Sequence, residues 1–346
     1  NIVTITAAGT YSISGTLNDG QIIIDTQDEV TVRLVLNGVY ITYATSAPIF
    51  VSNAEKTVIT LAAGTENVVT DGSSYIFADA ETDEPDAAVF SKDDLTINGD
   101  GSLTVNANYN NGIVSKDNLK ITGGNIAVNS VNDGIRGGDS IAVLDGIITV
   151  DSADDAIHSN GSLTIDGGHL MLTAGDNGVH ADDSLIINGG NLTIAQSYEG
   201  LESVVITIND GTIHLFSSDD GISVAGGNDG SGTSDPGQDS LNDANNNTLE
   251  INGGYIVIDA GGDGIDVNGP GTMNGGVVIV NGPTDNRNGM LDVDGSLVIN
   301  GGFLVAAGSA GMAQAPGTAS TQYSVLETLP SLQAAGTMIH IESENG

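Results

Sequence analysis

The sequence predicts an all-β, right-handed parallel β-helix, a single-stranded solenoid with about 22 residues per coil. Three observations carry this. A short phrase recurs: NNGIVS at Asn110, NDGIRG at Asn132, DDAIHS at Asp154, DNGVHA at Asp176, YEGLES at Tyr198 and DDGISV at Asp219, its starts 22 apart until the last, which is 21. The unit from Ala156, AIHSNGSLTIDGGHLMLTAGDN, holds two short apolar alternations separated by Gly, Asn and Asp, with no window of helical period. Residues one coil apart form apolar columns, as solenoid repeats require, since one repeat cannot bury its own apolar face.

Four columns are expected to point inward. They are Ile113, Ile135, Ile157, Val179, Leu201, Ile222, Ile265, Met290 and Met312; Leu119 to Leu297; Ile121 to Ile299; and Val128 to Val280. Gly124, Gly146, Gly168, Gly190, Gly211, Gly254, Gly276 and Gly302 form a turn column suited to positive φ. A single domain is therefore expected over 1–346. Residues 1–64 repeat the strand grammar more loosely and are expected to be irregular first coils with an N-terminal cap, because an open coil end exposes strand edges. Residues 65–88, with Asp79, Glu81, Asp83, Glu84 and Asp86, are expected to project as an acidic loop. Regular coils then run over 89–312, interrupted by a polar insertion at 226–247 whose Asp229, Asp235, Asp239 and Asp243 fit no established calcium loop. Residues 313–346 complete the C-terminal cap segment.

Of the 346 residues 49 are Gly and none is Cys; 39% are hydrophobic but only 4% aromatic, which suits a thin aliphatic cylinder. Seven Lys and Arg against 45 Asp and Glu give a formal charge of −38. Such a surface repels phosphate, so neither nucleic acid nor an anionic membrane is an expected partner. No apolar run is long enough to span a bilayer, so no membrane insertion is expected. The chain opens at Asn1 without a signal peptide and is expected to be the mature form of an extracellular or cell-surface protein.

The polar positions of the phrase also stack. One column holds Asn111, Asp133, Asp155, Asn177, Glu199, Asp220 and Asp263; the one before it holds Asn110, Asn132, Asp154, Asp176, Tyr198 and Asp219. Ordinary Asx turns would explain a lone Asp-Asp pair. Acids converging from several coils, Glu202 among them, instead suit Ca²⁺, which takes oxygens in flexible geometry. Two positions after the small residue of each phrase comes an outward column, Arg136, His158, His180, Glu202, Ser223 and Asp266. With Tyr198 it is a candidate for binding an anionic sugar, Arg136 pairing a uronate carboxylate, and it is equally compatible with a self-compensating surface ladder. A His-based metal site is disfavoured because only two His align.

Catalysis is not expected. A lyase needs an unprotonated base beside the calcium carboxylates; Arg136, Lys116 and Lys120 are the candidates, and a weak pectate-lyase-like activity stays open. Asp154 and Asp155 are expected to point apart, a poor acid and base pair. A third alternative is a filament or adhesin built from β-helices stacked end to end or by strand donation, a homopolymer.

The phrases DEPDAAVFSKDDLTINGDGSLTVNANYNNGIVSKDNLKITGG, SVNDGIRGGDSI, SADDAIHSNGSLTI and AAGSAGMAQAP resemble a bacterial carbohydrate-binding family. It comprises extracellular, calcium-dependent cellulose- and pectin-binding β-helix proteins whose fold is similar to that of polysaccharide lyases. The resemblance spans nearly the whole chain and is specific from about Asp83 to Pro316. It implies secretion, Ca²⁺ at the stacked acidic turns and affinity for plant-type or acidic polysaccharide.

Overall fold

The computed structural model describes residues 1–77, 79, 81–225, 246–334 and 336–340. Every regular element among them is a β-strand, and the paired strands run parallel from one coil to the next. One sheet holds twelve strands, from Ile2–Ile5 to Asp292–Val293, and the second holds twenty. The chain is a parallel β-helix.

One coil shows how the sequence produces it. Strand Ile157–Ser159 lies in the first sheet, while Ser162–Ile165 and His169–Thr173 lie in the second. The repeat therefore carries three strands where the alternation of SLTI and HLML marks only two. The third is the phrase itself, and three residues are too few for a period-2 pattern to declare itself. Register is as the columns require, with Ile113, Ile135, Ile157, Val179, Leu201, Ile222 and Ile265 paired in sequence.

That column and its neighbours fill the interior. Leu163, Ile165, Leu172 and Ile157 are fully buried, in one aliphatic cluster that extends from Ile5 to Ile299. Each such side chain contributes about 1.5–3 kcal/mol on burial. The predicted column errs at its far end. Asp266 pairs with Asp292, so Leu291 and not Met290 stands beneath Ile265. The longer coil between them, which includes GPTDNRNG, displaces the alignment by one residue, and Met312 is 43% exposed.

The turn glycines Gly124, Gly146, Gly168, Gly190, Gly211, Gly254, Gly276 and Gly302 have φ between 82° and 127°. A Cβ on Gly168 would sit 2.9 Å from the carbonyl oxygen of Gly146, one coil away. Gly168→Ala is expected to cost about 1–3 kcal/mol. An unchanged urea midpoint would show that the turn relaxes freely.

One boundary differs from expectation. Glu66–Asp71 is a strand inside the stretch assigned to an acidic loop; it pairs with Tyr40–Tyr43 and with Ser102–Asn106, and its Val69 is fully buried. The alternation in ENVVTD is too short and too polar to stand out beside the acids that follow. The remaining loop packs back on the helix: Tyr75 covers a cluster of Ala47, Ala87, Phe90 and Val114 on the outer face of the first sheet. Residues 1–64 supply the first three rungs of the twelve-stranded sheet, Ile2–Ile5, Gln21–Asp25 and Ile49–Asn53, in coils of uneven length, with Ile2 paired to Gln21 and Ile22 to Ile49. The insertion lies outside the described residues over 226–245. Beyond Ala307 no described residue is in a strand. Gln314 hydrogen-bonds both backbone groups of Val293, and Gly317 and Thr321 donate to Leu297 and Ile299, so this segment pairs with the last rungs.

Candidate functional site

The middle residue of each short strand faces away from the core, and these residues stack into one outward row. Its order is Phe50, Phe90, Val114, Arg136, His158, His180, Glu202, Ser223, Asp266 and Asp292. The row changes chemistry at Arg136. Its apolar half lies under Tyr75, and its ionic half forms the candidate site.

The acidic column beside this row is buried, with Asp133 at 1%, Asp155 at 4% and Asn177 at 1% exposure. Its local role is to tie coils together. Asn111 Oδ1 accepts the backbone N–H of Asp133 at 3.1 Å, and Asp155 Oδ1 accepts that of Asn177 at 2.9 Å. Asp220 accepts from Asp263, and Asp263 from Gly289. One side-chain oxygen of Asn111, Asp155, Asp220 and Asp263 is thus spent on a backbone N–H of the next coil. At Asp133 and Asp155 Oδ2 faces the outward row.

There the contacts converge. Asp155 Oδ2 lies 2.9 Å from His158 Nδ1 and 3.5 Å from His180 Nδ1. Asp133 Oδ2 takes Arg136 at 3.0 Å, and Arg136 Nε donates to Asn160 Oδ1 at 3.2 Å. His180 Nδ1 is 3.3 Å from Glu202 Oε2, and the Asn177 amide donates to that same oxygen. The two imidazoles stack at 4.6 Å, 8° from parallel, and both turn Nε2 toward Asp182 Oδ1 at 3.4 Å. The expected outward column is therefore less exposed than a surface ladder: His180 is 6% and Glu202 0% exposed. Flanking residues wall it in, Asp133, Asp155 and Asn177 on one side and Asn160 and Asp182 on the other.

This packing sets the protonation states. Burial opposes charge on His158, yet hydrogen bonds to Asp155 and Asp182 outweigh it and raise its pKa to about 9; the same balance, with Glu202 adding, raises His180 to about 11. Burial favours the neutral acid at Asp155 and Asp182, but both are held well below the usual carboxylate range by the hydrogen bonds from the two imidazoles. Asp133, buried and facing Asp155, is raised to about 6. Further along, burial and then Asp266, Asp219 and Asp263 push Asp220 up to about 9. Tyr198 sits beside that group, its phenol held above the usual range by a hydrogen bond to Asp219 and by burial.

Asp154 and Asp155 do not point apart. Together with Asp176 they offer carboxylate oxygens that all lie within 4.8 Å of one another, drawn in by the turn that stacks DD on DN. That separation is shorter than either glycosidase geometry requires. Glu199 is buried one rung below Asn177, and Asp219, Asp220 and Asp263 form the next acidic group along the edge. Asp182 escaped the sequence argument because its column reads Lys116, Gly138, Asn160, Asp182, without a repeated chemistry. Lys116 and Lys92 both pair with Glu84, at 2.9 and 3.4 Å.

Fold and site together define a parallel β-helix with an acidic, histidine-containing face. The family model of carbohydrate-binding domain-containing proteins matches residues 1–240, and the chain belongs to that family. A carbohydrate-binding domain-containing protein of Acetivibrio thermocellus is 54% identical over 126 residues, 36% of this chain and 44% of the relative, so the match spans less than half of that protein. A solved structure titled as the polysaccharide lyase-like protein from C. thermocellum, a gadolinium derivative, is similar at a TM-score of 0.53 and 39% identity. The likeness covers 61% of this chain and 83% of that one.

Proposed function

We propose that the chain is a non-catalytic, calcium-dependent polysaccharide-binding protein of the cell surface, taking acidic glycans of the pectin type. The observation that carries this is the convergence of Asp154, Asp155 and Asp176 from adjacent coils. Ca²⁺ binds oxygens at roughly 2.3–2.6 Å, so ligands on opposite sides of one ion stand about 4.8 Å apart. The ion keeps positions for a sugar carboxylate, beside Arg136, which lies one rung away and is held by Asp133 and Asn160. The family description supports carbohydrate as the ligand.

The polysaccharide lyase-like neighbour raises catalysis as the competing reading. Against it, the bases nearest the acidic edge are engaged in ion pairs, Arg136 with Asp133 and Lys116 with Glu84. Wild-type protein stripped with chelator should take up Ca²⁺ in calorimetry and retain polygalacturonate only when Ca²⁺ is restored. The Asp154→Asn/Asp176→Asn variant is expected to lose at least about tenfold in calcium affinity, roughly 1.4 kcal/mol. Equal uptake by variant and wild type would sink the calcium assignment, and a steady rise of ultraviolet-absorbing unsaturated product would sink the non-catalytic one.

A further inference from the structure

We propose that Asp155, His158 and His180 form a second metal site, specific for a borderline transition-metal ion, Zn²⁺ foremost, with Glu202 packed beside His180. It is separate in chemistry from the calcium group, with which it shares only Asp155.

The donor set supplies the first argument. Asp155, His158 and His180 present ligand atoms within 4.8 Å of one another. The spacings are 2.9 Å from Asp155 Oδ2 to His158 Nδ1, 3.5 Å to His180 Nδ1, and 3.3 Å from His180 Nδ1 to Glu202 Oε2. A tetrahedral zinc with bonds near 2.0–2.1 Å has ligand-to-ligand edges of about 3.3 Å. Two imidazoles and a carboxylate select zinc or copper over Ca²⁺ and Mg²⁺, which prefer an all-oxygen shell.

The second argument lies in the outer contacts. A ligating imidazole donates its other N–H to a carboxylate, which fixes its tautomer and orientation. Both Nε2 atoms face Asp182 Oδ1 at 3.4 Å, so one carboxylate serves both rings. The Asn177 amide donates to Glu202 Oε2 and holds that carboxylate beside His180.

The third argument is what these groups lack without an ion. His180 is 6% exposed, so its Nδ1 meets protein groups rather than water. His180 Nδ1 faces two carboxylate oxygens and, at 3.3 Å, the amide nitrogen of Asn177. Carboxylates call for an N–H there and the amide calls for a lone pair, so no single protonation state satisfies all three. A cation replaces the Nδ1 proton and takes the lone pair, and the Asn177 amide is left to donate to Glu202 Oε2. Each stacked ring then carries one proton rather than two, removing the repulsion between parallel imidazoliums 4.6 Å apart. His158, with 15% of its side chain exposed, marks the side from which the ion enters.

The test uses the full chain after chelator treatment, with Zn²⁺ or Co²⁺ alone as probe. Calorimetry should show uptake of one Zn²⁺ per chain at micromolar affinity or tighter, and Co²⁺ should give the visible absorption of a tetrahedral nitrogen and oxygen site. His158→Gln/His180→Gln should lower zinc affinity at least about 100-fold and leave calcium uptake unchanged, whereas Asp154→Asn/Asp176→Asn should do the reverse. Absence of zinc uptake by wild-type protein, absence of tetrahedral cobalt bands, or equal zinc affinity in the histidine variant would overturn the site. The cobalt spectrum needs no variant, so poor folding of the histidine double mutant leaves the test intact.

Discussion

Replacing Asp155 by alanine is expected to destabilise the metal-free chain by about 3–5 kcal/mol, among the largest effects of any polar substitution. Both oxygens are committed: Oδ1 to the backbone N–H of Asn177, and Oδ2 to His158 and His180. The side chain is 4% exposed, so water does not replace it. Its removal strands two buried imidazoles that are cationic at neutral pH and leaves a backbone donor on the next coil without its acceptor. Asp183→Ala provides the control, since that acid is exposed and its loss should change stability by no more than about 0.5 kcal/mol. A denaturant midpoint for Asp155→Ala corresponding to a loss below about 1 kcal/mol would show that the cluster reorganises around water.

The second large effect is an acidic optimum of stability in chelator. The outward row and the acidic column beside it hold groups whose folded pKa values are raised far above their ordinary ones: Asp133 from 3.8 to about 6, Asp220 from 3.8 to about 9, His158 from 6.5 to about 9 and His180 from 6.5 to about 11. A raised group binds its proton more tightly in the folded state, so its contribution is complete below the unfolded value and is lost as pH climbs to the folded one. The two carboxyls therefore erode stability from about pH 4 upward and the two imidazoles from about pH 6.5 to 11. Asp155 and Asp182 act oppositely, their contribution vanishing as pH falls below the usual carboxylate range. Urea midpoints from pH 3 to 11 should peak near pH 4–6 and decline steadily on the alkaline side. A plateau through pH 10 would contradict the burial of these groups. Restoring Ca²⁺ should flatten the decline by giving the acidic groups a partner other than the proton.

Much of this architecture was legible in the order of residues. The Ile113 to Ile265 column, the glycine turns and the stacking of Asp133 on Asp155 all follow from a 22-residue interval, because a parallel β-helix converts sequence distance into vertical neighbourhood. What escaped has physical reasons. Strand Glu66–Asp71 is short, and its inward Val69 is surrounded by polar residues. The slip at Met290 comes from a coil of irregular length. His180 and Glu202 were rightly placed in one outward row, but their burial depends on walls formed by other columns, and Asp182 belongs to a column with no common chemistry. The convergence of Asp154 with Asp155 is set by turn dihedrals, which neighbouring identical residues do not announce.

The ionic run from Arg136 through His158 and His180 to Glu202 occupies four consecutive rungs, each supported only by the coil above and the coil below. Duplicating or deleting one coil would lengthen or shorten this strip by a single step of about 4.8 Å. Either edit would leave the hydrophobic interior continuous. The length of the strip is accordingly written as copy number, and unequal recombination between repeats can change it without inventing a new fold.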